Sequence, residues 1–491
     1  MTLNLTATTL PLLSGSLTSL LGVEYGLAQT PAGRRLVVLG AAGSAALADY
    51  EGERSEFDGG SLLVGPLSAH NASALRNAIP WLKPQLLGLR TSAGMGDRMG
   101  LATPGHVRAV RAAGGQIAPI FAQQSIREMN RTRRSPQQVM DDVTWGMFSE
   151  GWQGGAGADA DHLKTPADID ACLAAGYTFF TIDPGEHVDN RAETAGLSAL
   201  RQLAEALPEE HQPQNAGLLG KTDDIEGLVV KFDEAVLLKA AVKYGRAIAH
   251  VAAMYQHLVQ AAGSRPFELE VSVDETEQPT SHAEHLYIAS ELKRLGVQWV
   301  SLAPRYVGRF EKGVDYIGDV DAFEADIAGH AAIARQCGPY KLSLHSGSDK
   351  FSIYPAAMRQ TRGLVHLKTA GTSYLEALRT IAALQPDLLA EIYTFARQRF
   401  PVDRASYHIS AELERAPQPH AISDWPALLE QFDAREILHV TFGSVLTEPA
   451  PDRGASFHDR LEALLLANPE LYAANLERHF LRHLRPFTLT A

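Results

Sequence analysis

Only two cysteines stand in 491 residues, Cys172 and Cys337. That is too few for a disulfide framework, and neither belongs to a C-x-x-C pair, so the chain has no thiolate metal motif and no dithiol redox motif. Both fall in helical segments and read as buried thiols of a reducing compartment. No run of about 18 apolar residues occurs, so no membrane span is predicted. Positive charge is short as well. Lys and Arg number 44 against 57 Asp and Glu, for a net charge of −13, and no basic stripe is present. Nucleic acid is therefore not an expected partner. The opening segment MTLNLTATTLPLLSGSLTSLLG is apolar but carries no Lys or Arg, which argues against a secretory signal and leaves the cytoplasm as the expected location. There is no H-E-x-x-H. The glycine-rich stretch Gly88–Gly100 does not have G-x-G-x-x-G spacing, which weakens a dinucleotide-binding reading.

What the chain does have is a recurring unit: helix, glycine, apolar strand, polar residues. Helix 165–175 ends at Gly176 and leads into YTFFTIDPGEHVD; helix 281–295 ends at Gly296 and leads into VQWVSLAPR. The same order appears before PYKLSLHSGSDK and LVHLKTAGTS. A glycine just past a helix supplies the left-handed residue that ends it, while Thr165-Pro166 and the Ser281/Glu284 capping box mark helix starts. Alternating strands and helices predict a parallel sheet. Eight strands are predicted at 86–89, 117–122, 178–183, 267–274, 299–303, 341–345, 364–368 and 437–442, which suggests an α/β fold of the (β/α)8 TIM-like barrel type. A doubly wound sheet is the alternative. At 491 residues the chain exceeds the roughly 250 of a single barrel. The extra length is read as a small β-rich cap over 1–60, a barrel over 61–450 with a helical insertion at about 385–430, and a C-terminal helical extension over 451–491. The segment GGAGADADH around Gly154 is read as a loop.

Barrels and open α/β sheets place their chemistry at the C-terminal ends of parallel strands. There the sequence offers Asp183, Asp274, Glu275, Arg305, His345, Ser346, Lys350, His366 and Lys368, with Asp97 and Arg98 after the first strand. Carboxylates and imidazoles converging on one face suit a divalent metal ion such as Zn, Mn, Co or Ni acting as a Lewis acid. By position, Glu275, His345, Asp183 and His366 are the expected ligands. Asp274, Lys368 and Asp183 are the expected acid and base groups. Asp97, Arg98, Arg305, Ser346 and Lys350 are the expected substrate contacts, with Arg suited to a carboxylate. A small anionic substrate is the expected partner, and a homo-oligomer is possible.

GDRMGLATPGH (Gly96–His106), FFTIDPGEHVDN (Phe179–Asn190), VSVDETEQPTS (Val271–Ser281), SLAPRYVGRFEKGVDYIGD (Ser301–Asp319), KLSLHSGSDKFSIYP and HLKTAGTSYLEALR (His366–Arg379) together resemble the tagaturonate epimerase family over about residues 60–450. The resemblance implies interconversion of D-tagaturonate and D-fructuronate in hexuronate breakdown, with a divalent metal, and in some members activity on fructose and tagatose. The carbon inverted is C4, whose hydrogen is not α to the ketone. Two routes remain: retro-aldol cleavage and re-formation of the C3–C4 bond, or transient oxidation by bound NAD. The acidic, imidazole-rich strand ends favour the first. A metal-dependent aldolase or isomerase of another sugar acid is the alternative enzyme, and a non-catalytic sugar-acid binder the alternative class.

Overall fold

The computed structural model describes residues 4–31, 33–114, 116–450 and 454–488. The first three residues of the expected cap, and 451–453 and 489–491 of the expected extension, lie outside the described residues. The chain opens with five antiparallel strands, β1 (Thr18–Leu20), β2 (Val23–Thr30), β3 (Gly33–Ala41), β4 (Glu53–Phe57) and β5 (Gly60–Gly65), in the order β1-β2-β3-β5-β4.

Eight parallel strands then close a barrel. They are β6 (Ser92–Met95), β7 (Ala118–Ser125), β8 (Gly157–Leu163), β9 (Phe179–Ile182), β12 (Glu268–Ser272), β13 (Ser301–Ala303), β14 (Lys341–Leu344) and β15 (Val365–Thr369). A short hairpin, β10 (Thr222–Ile225) and β11 (Leu228–Lys231), and the 29-residue helix Glu234–Ala262 fill the connection between β9 and β12. Residues alternate along each strand. Leu269, Val271, Leu342, Leu344, Val365 and Leu367 point outward into the helical layer, none more than 1 % exposed. Burying each such side chain contributes about 1.5–3 kcal/mol. Their neighbours Glu268, Glu270, Lys341, Ser343, His366 and Lys368 point inward. The barrel is thus apolar outside and ionic inside, where aliphatic layers are the usual filling.

Three strand expectations need correction. Residues 86–89 form a turn, not a strand: Gly88 sits at φ +59, Leu86 is 42 % exposed, and Glu268 accepts the amides of Leu87 and Gly88. The first barrel strand is β6 instead. Residues 437–442 are helical. Gln431 caps the helix Phe432–Val440 through the Ala434 amide, and β15 already closes the barrel onto β6. The missing strand is β8, within the segment read as a loop; its outward positions are the small residues Ala158 and Ala160, both fully buried. Residues 385–430 consequently follow the last strand rather than interrupting the barrel.

After β15 the described chain is helical and wraps back over the barrel. The helix Pro469–Leu484 lies on the helix Thr103–Ala112, where a Cβ on Gly105 would come within 2.4 Å of Leu476 Cβ. Among the described residues no helix is long and apolar enough to cross a membrane.

Candidate active site

The centre of the barrel is held by Lys368 of β15. Its ammonium lies 2.9 Å from Asp159, 2.7 Å from Asp161 and 2.8 Å from Glu270, and donates to Thr181 at 2.6 Å. Burial would lower its pKa, but the three carboxylates outweigh burial and hold it well above the ordinary lysine range. Lys368 is therefore a fixed positive charge. Sequence position made Lys368 an expected acid or base group; here the acids of β8 and β12 surround it and keep it charged.

Above this layer stand two imidazoles. His162 sits near the end of β8, where the pairing with β9 slips between Ala160 and Leu163 and its own φ is +52. A non-glycine residue held there is strained, and such bulges re-aim side chains at functional sites. Its Nδ1 lies 3.2 Å from Asp183 Oδ2, and Asp183 Oδ1 accepts the Gly185 amide at 2.8 Å. His345, just past β14, meets a carboxylate at each nitrogen: Nε2 is 2.6 Å from Glu270 and Nδ1 is 3.1 Å from Asp274. The two rings are 5.0 Å apart, edge to face. Burial lowers the pKa of both, but Asp161 and Asp183 push His162 up to about 10, and Asp274 and Glu270 push His345 up to about 9. Asp274 and Glu270, desolvated but facing these cations, are held well below the carboxylate range.

This arrangement demands a cation. A neutral imidazole has one N–H, yet both nitrogens of His345 face carboxylates. A second proton or a metal ion must satisfy the other. The ligand atoms of His162, Asp274 and His345 all lie within 4.8 Å of one another. Two nitrogens and an oxygen with open positions suit a Lewis-acidic divalent ion.

The cluster opens into a cavity of about 760 Å³ lined by Arg127, Asp274, Glu275, Arg305, Lys312, His345, Ser346 and Tyr407 among others. Lys312 is the notable cation. Its Nζ donates to Ser346 Oγ at 2.7 Å. Among the described residues no carboxylate lies within ion-pair distance of it, and burial lowers its pKa. A half-buried lysine facing a cavity without an acid partner suits an anionic ligand.

Of the residues singled out by sequence, Asp274, His345, Lys368 and Asp183 gather at this mouth, and Arg305 and Ser346 line the cavity. Glu275 lies at its edge, 3.1 Å from Arg127 and with 36 % of its side chain exposed; it stands outside the ligand cluster. His366 lies one layer deeper, bonded to Ser92 Oγ at 2.9 Å and 3.9 Å from Asp159, so it does not share an ion with His345. Asp97 is spent on the amides of Met99, Gly100 and Ala102. Lys350 donates to the carbonyls of Glu311, Val314 and Ser348, so all three N–H groups are used inside the protein and none remains for substrate. Arg98 is held by Glu128 at 2.6 Å over the Phe442 ring, although it borders the inner part of the cavity. Asp159, Asp161, His162 and Lys312 were not singled out. The first three belong to the strand read as a loop. The alternation of Ala158, Asp159, Ala160 and Asp161 is the period-2 signal that could have found it.

Fold and mouth together define a (β/α)8-barrel enzyme whose centre combines buried carboxylates, two imidazoles and a lysine beneath a cation-lined cavity. A model of the tagaturonate epimerase family matches residues 15–487, and the chain belongs to that family. It is 44 % identical over 463 residues to a tagaturonate/fructuronate epimerase of Thermotoga maritima, covering 94 % of this chain and 93 % of that protein. The native crystal structure of fructuronate-tagaturonate epimerase from Cohnella laeviribosi superimposes with a TM-score of 0.91 at 38 % identity, over 98 % of this chain and 97 % of that one. A form of the same protein with two glycerols gives the same score and identity over 98 % of each chain.

Proposed function

We propose that the protein interconverts D-tagaturonate and D-fructuronate by inverting C4. Family membership supports the substrate pair, and the acid–imidazole cluster beneath a cation-lined cavity is the observation that carries the chemistry. Lys312, with Ser346 and Arg305, holds the uronate carboxylate. Neutral ketoses such as fructose and tagatose share the reacting carbons but not this charge, so they are slower substrates.

His162, Asp274 and His345 are the residues that would hold a divalent metal ion. Bound there, the ion would supply a Lewis acid for the negative charge that cleavage develops. The residues do the rest. Glu275, half-exposed at the cavity edge, takes the C4 hydroxyl proton. The oxygen's electrons form the C4 carbonyl, the C3–C4 pair moves to C2–C3, and charge builds on the C2 oxygen. The fragments are the dihydroxyacetone enediolate and tartronate semialdehyde. Lys368, fixed by Asp159, Asp161 and Glu270, adds a preorganised positive charge beneath them. The Asp183 carboxylate orients His162 through Nδ1. The aldehyde turns its other face, the C3–C4 bond re-forms, and Glu275 returns the proton to the C4 oxygen.

Isotope effects test this sequence. Retro-aldol chemistry gives a ¹³C effect at C3 and C4 with no primary deuterium effect at C4. A primary deuterium effect at C4, with NAD released from the denatured protein, would favour transient oxidation and overturn the mechanism.

A further inference from the structure

We propose that His282, Asp326 and His330 form a second site for a divalent metal ion of the zinc class, on the outside of the barrel between the helices His282–Arg294 and Val320–Cys337. Asp326 and His330 are four residues apart on one helix and share a face. His282 opens the neighbouring helix, fixed by the Ser281–Glu284 capping box. His282 Nε2 and His330 Nε2 each lie 3.6 Å from Asp326 Oδ1, and the three ligand atoms fall within 4.8 Å of one another. Donors around a four-coordinate zinc ion stand roughly 3.3 Å apart, so only a small closure is needed.

Three observations point to a cation site. His330 is fully buried, and its Nε2 has no hydrogen-bond partner among the described residues. Its Nδ1 faces His285 Nδ1 at 2.9 Å, and His285 Nε2 faces Tyr340 Oη at 2.8 Å. If His330 donates to His285 and His285 to Tyr340, the His330 Nε2 lone pair is turned toward Asp326. That is the outer-shell support metal-bound histidines receive. Second, among the described residues Asp326 has no Lys or Arg within ion-pair distance, though Oδ2 accepts the Val307 amide at 3.0 Å. Third, Gly329 makes the cradle: a Cβ there would lie 2.4 Å from His282 Nε2. His282 Nε2 now donates to the Asp326 carbonyl at 3.0 Å; to bind the ion it gives up that proton and that contact and turns its lone pair toward Asp326 Oδ1. With 27 % of its side chain exposed, His282 gives the ion a route in and a water its fourth position. Through Asp326 and Val307 the ion would pin the loop that carries Arg305 and Phe310 into the cavity wall.

Cobalt(II) titration of chelator-stripped protein tests the site without relying on turnover. In a His345→Ala background, which removes a ligand of the barrel cluster, one cobalt equivalent should still bind with the visible absorption of a four-coordinate ion. His330→Gln should lose that equivalent, in this background and in the otherwise unmodified chain. His282→Asn, at a part-exposed position that spares the fold, should weaken binding roughly 10-fold or more. Zinc should raise the melting temperature of the His345→Ala protein and leave that of the double variant unchanged. Cobalt binding that neither His330→Gln nor His282→Asn alters, or no bound equivalent in the His345→Ala protein, would overturn the proposal.

Discussion

Two clusters in this protein share a composition and differ in everything else. At the barrel mouth, His162, His345 and Asp274 converge; under the C-terminal helix, Asp349, His479 and His483 do. In the second, His483 has both nitrogens committed to the backbone and so cannot serve as a ligand, although His479 Nε2 and Asp349 Oδ1 find no hydrogen-bond partner among the described residues. Asp349 is paired with Arg435 at 3.1 Å, and its amide donates to His483 Nε2 at 2.9 Å. His483 Nδ1 is occupied by the His479 carbonyl at 3.1 Å. Burial holds both histidines below their ordinary pKa, hence neutral. At the mouth the carboxylates outnumber the fixed cations, the imidazoles are pushed up, and a cavity opens above. Residue type alone does not make an active centre. Unbalanced charge with access does.

The largest break in this contrast is expected from Lys368→Met. It strips the common partner from Asp159, Asp161 and Glu270, at a cost of about 3–5 kcal/mol for uncompensated buried charge. Turnover should fall by roughly 10³-fold, read in the same preparation by denaturant unfolding and steady-state kinetics. A stable, active Lys368→Met protein would refute the role given to that charge. Lys312→Met should act on the substrate alone. Loss of a charged contact worth about 2 kcal/mol raises KM for tagaturonate roughly 30-fold and leaves any tagatose activity unaltered. Equal losses on both sugars would mark Lys312 as structural.

The smallest effect sharpens the comparison by sign. In metal-free protein, His345 and His162 have folded pKa values raised to about 9 and about 10. Their contribution is complete below the unfolded value of about 6.5 and is lost as pH rises through 9 and 10. For His345 it is on the order of 3 kcal/mol. The lowered pKa of His479 and His483 acts in reverse, removing stability as pH falls below about 6.5. Melting curves of chelated protein should therefore decline toward both ends. His345→Ala should flatten the alkaline limb and His479→Ala the acid limb. Identical curves for the two variants would remove the distinction.

Much of this was legible in the chain. Strands β12, β14 and β15 alternate large apolar residues with polar ones and β9 is a short, mostly apolar run, and their ends deliver Asp183, Asp274, His345 and Lys368 to one mouth. Strand β8 was hard to read because alanines cover its outer face: the period-2 alternation is there but carries little hydrophobicity, and Asp161 and His162 were passed over with it. The helix Phe432–Val440 imitated a strand because a short apolar run does not declare its period. Lys350 follows His345 closely in sequence, yet the left-handed Asp349, at φ +62, helps turn it back toward the carbonyls of Glu311 and Val314. Lys312 sits in an irregular loop where no periodicity marks it.

The most direct test sets the two clusters side by side. Metal content and tagaturonate turnover should be measured for the unmodified protein, His345→Ala and His479→Ala. His345→Ala should lose one metal equivalent per chain and at least about 10³-fold in turnover, while His479→Ala keeps both within a few-fold. A His345→Ala protein that retains its metal and its turnover, or a His479→Ala protein that loses them, would contradict the account.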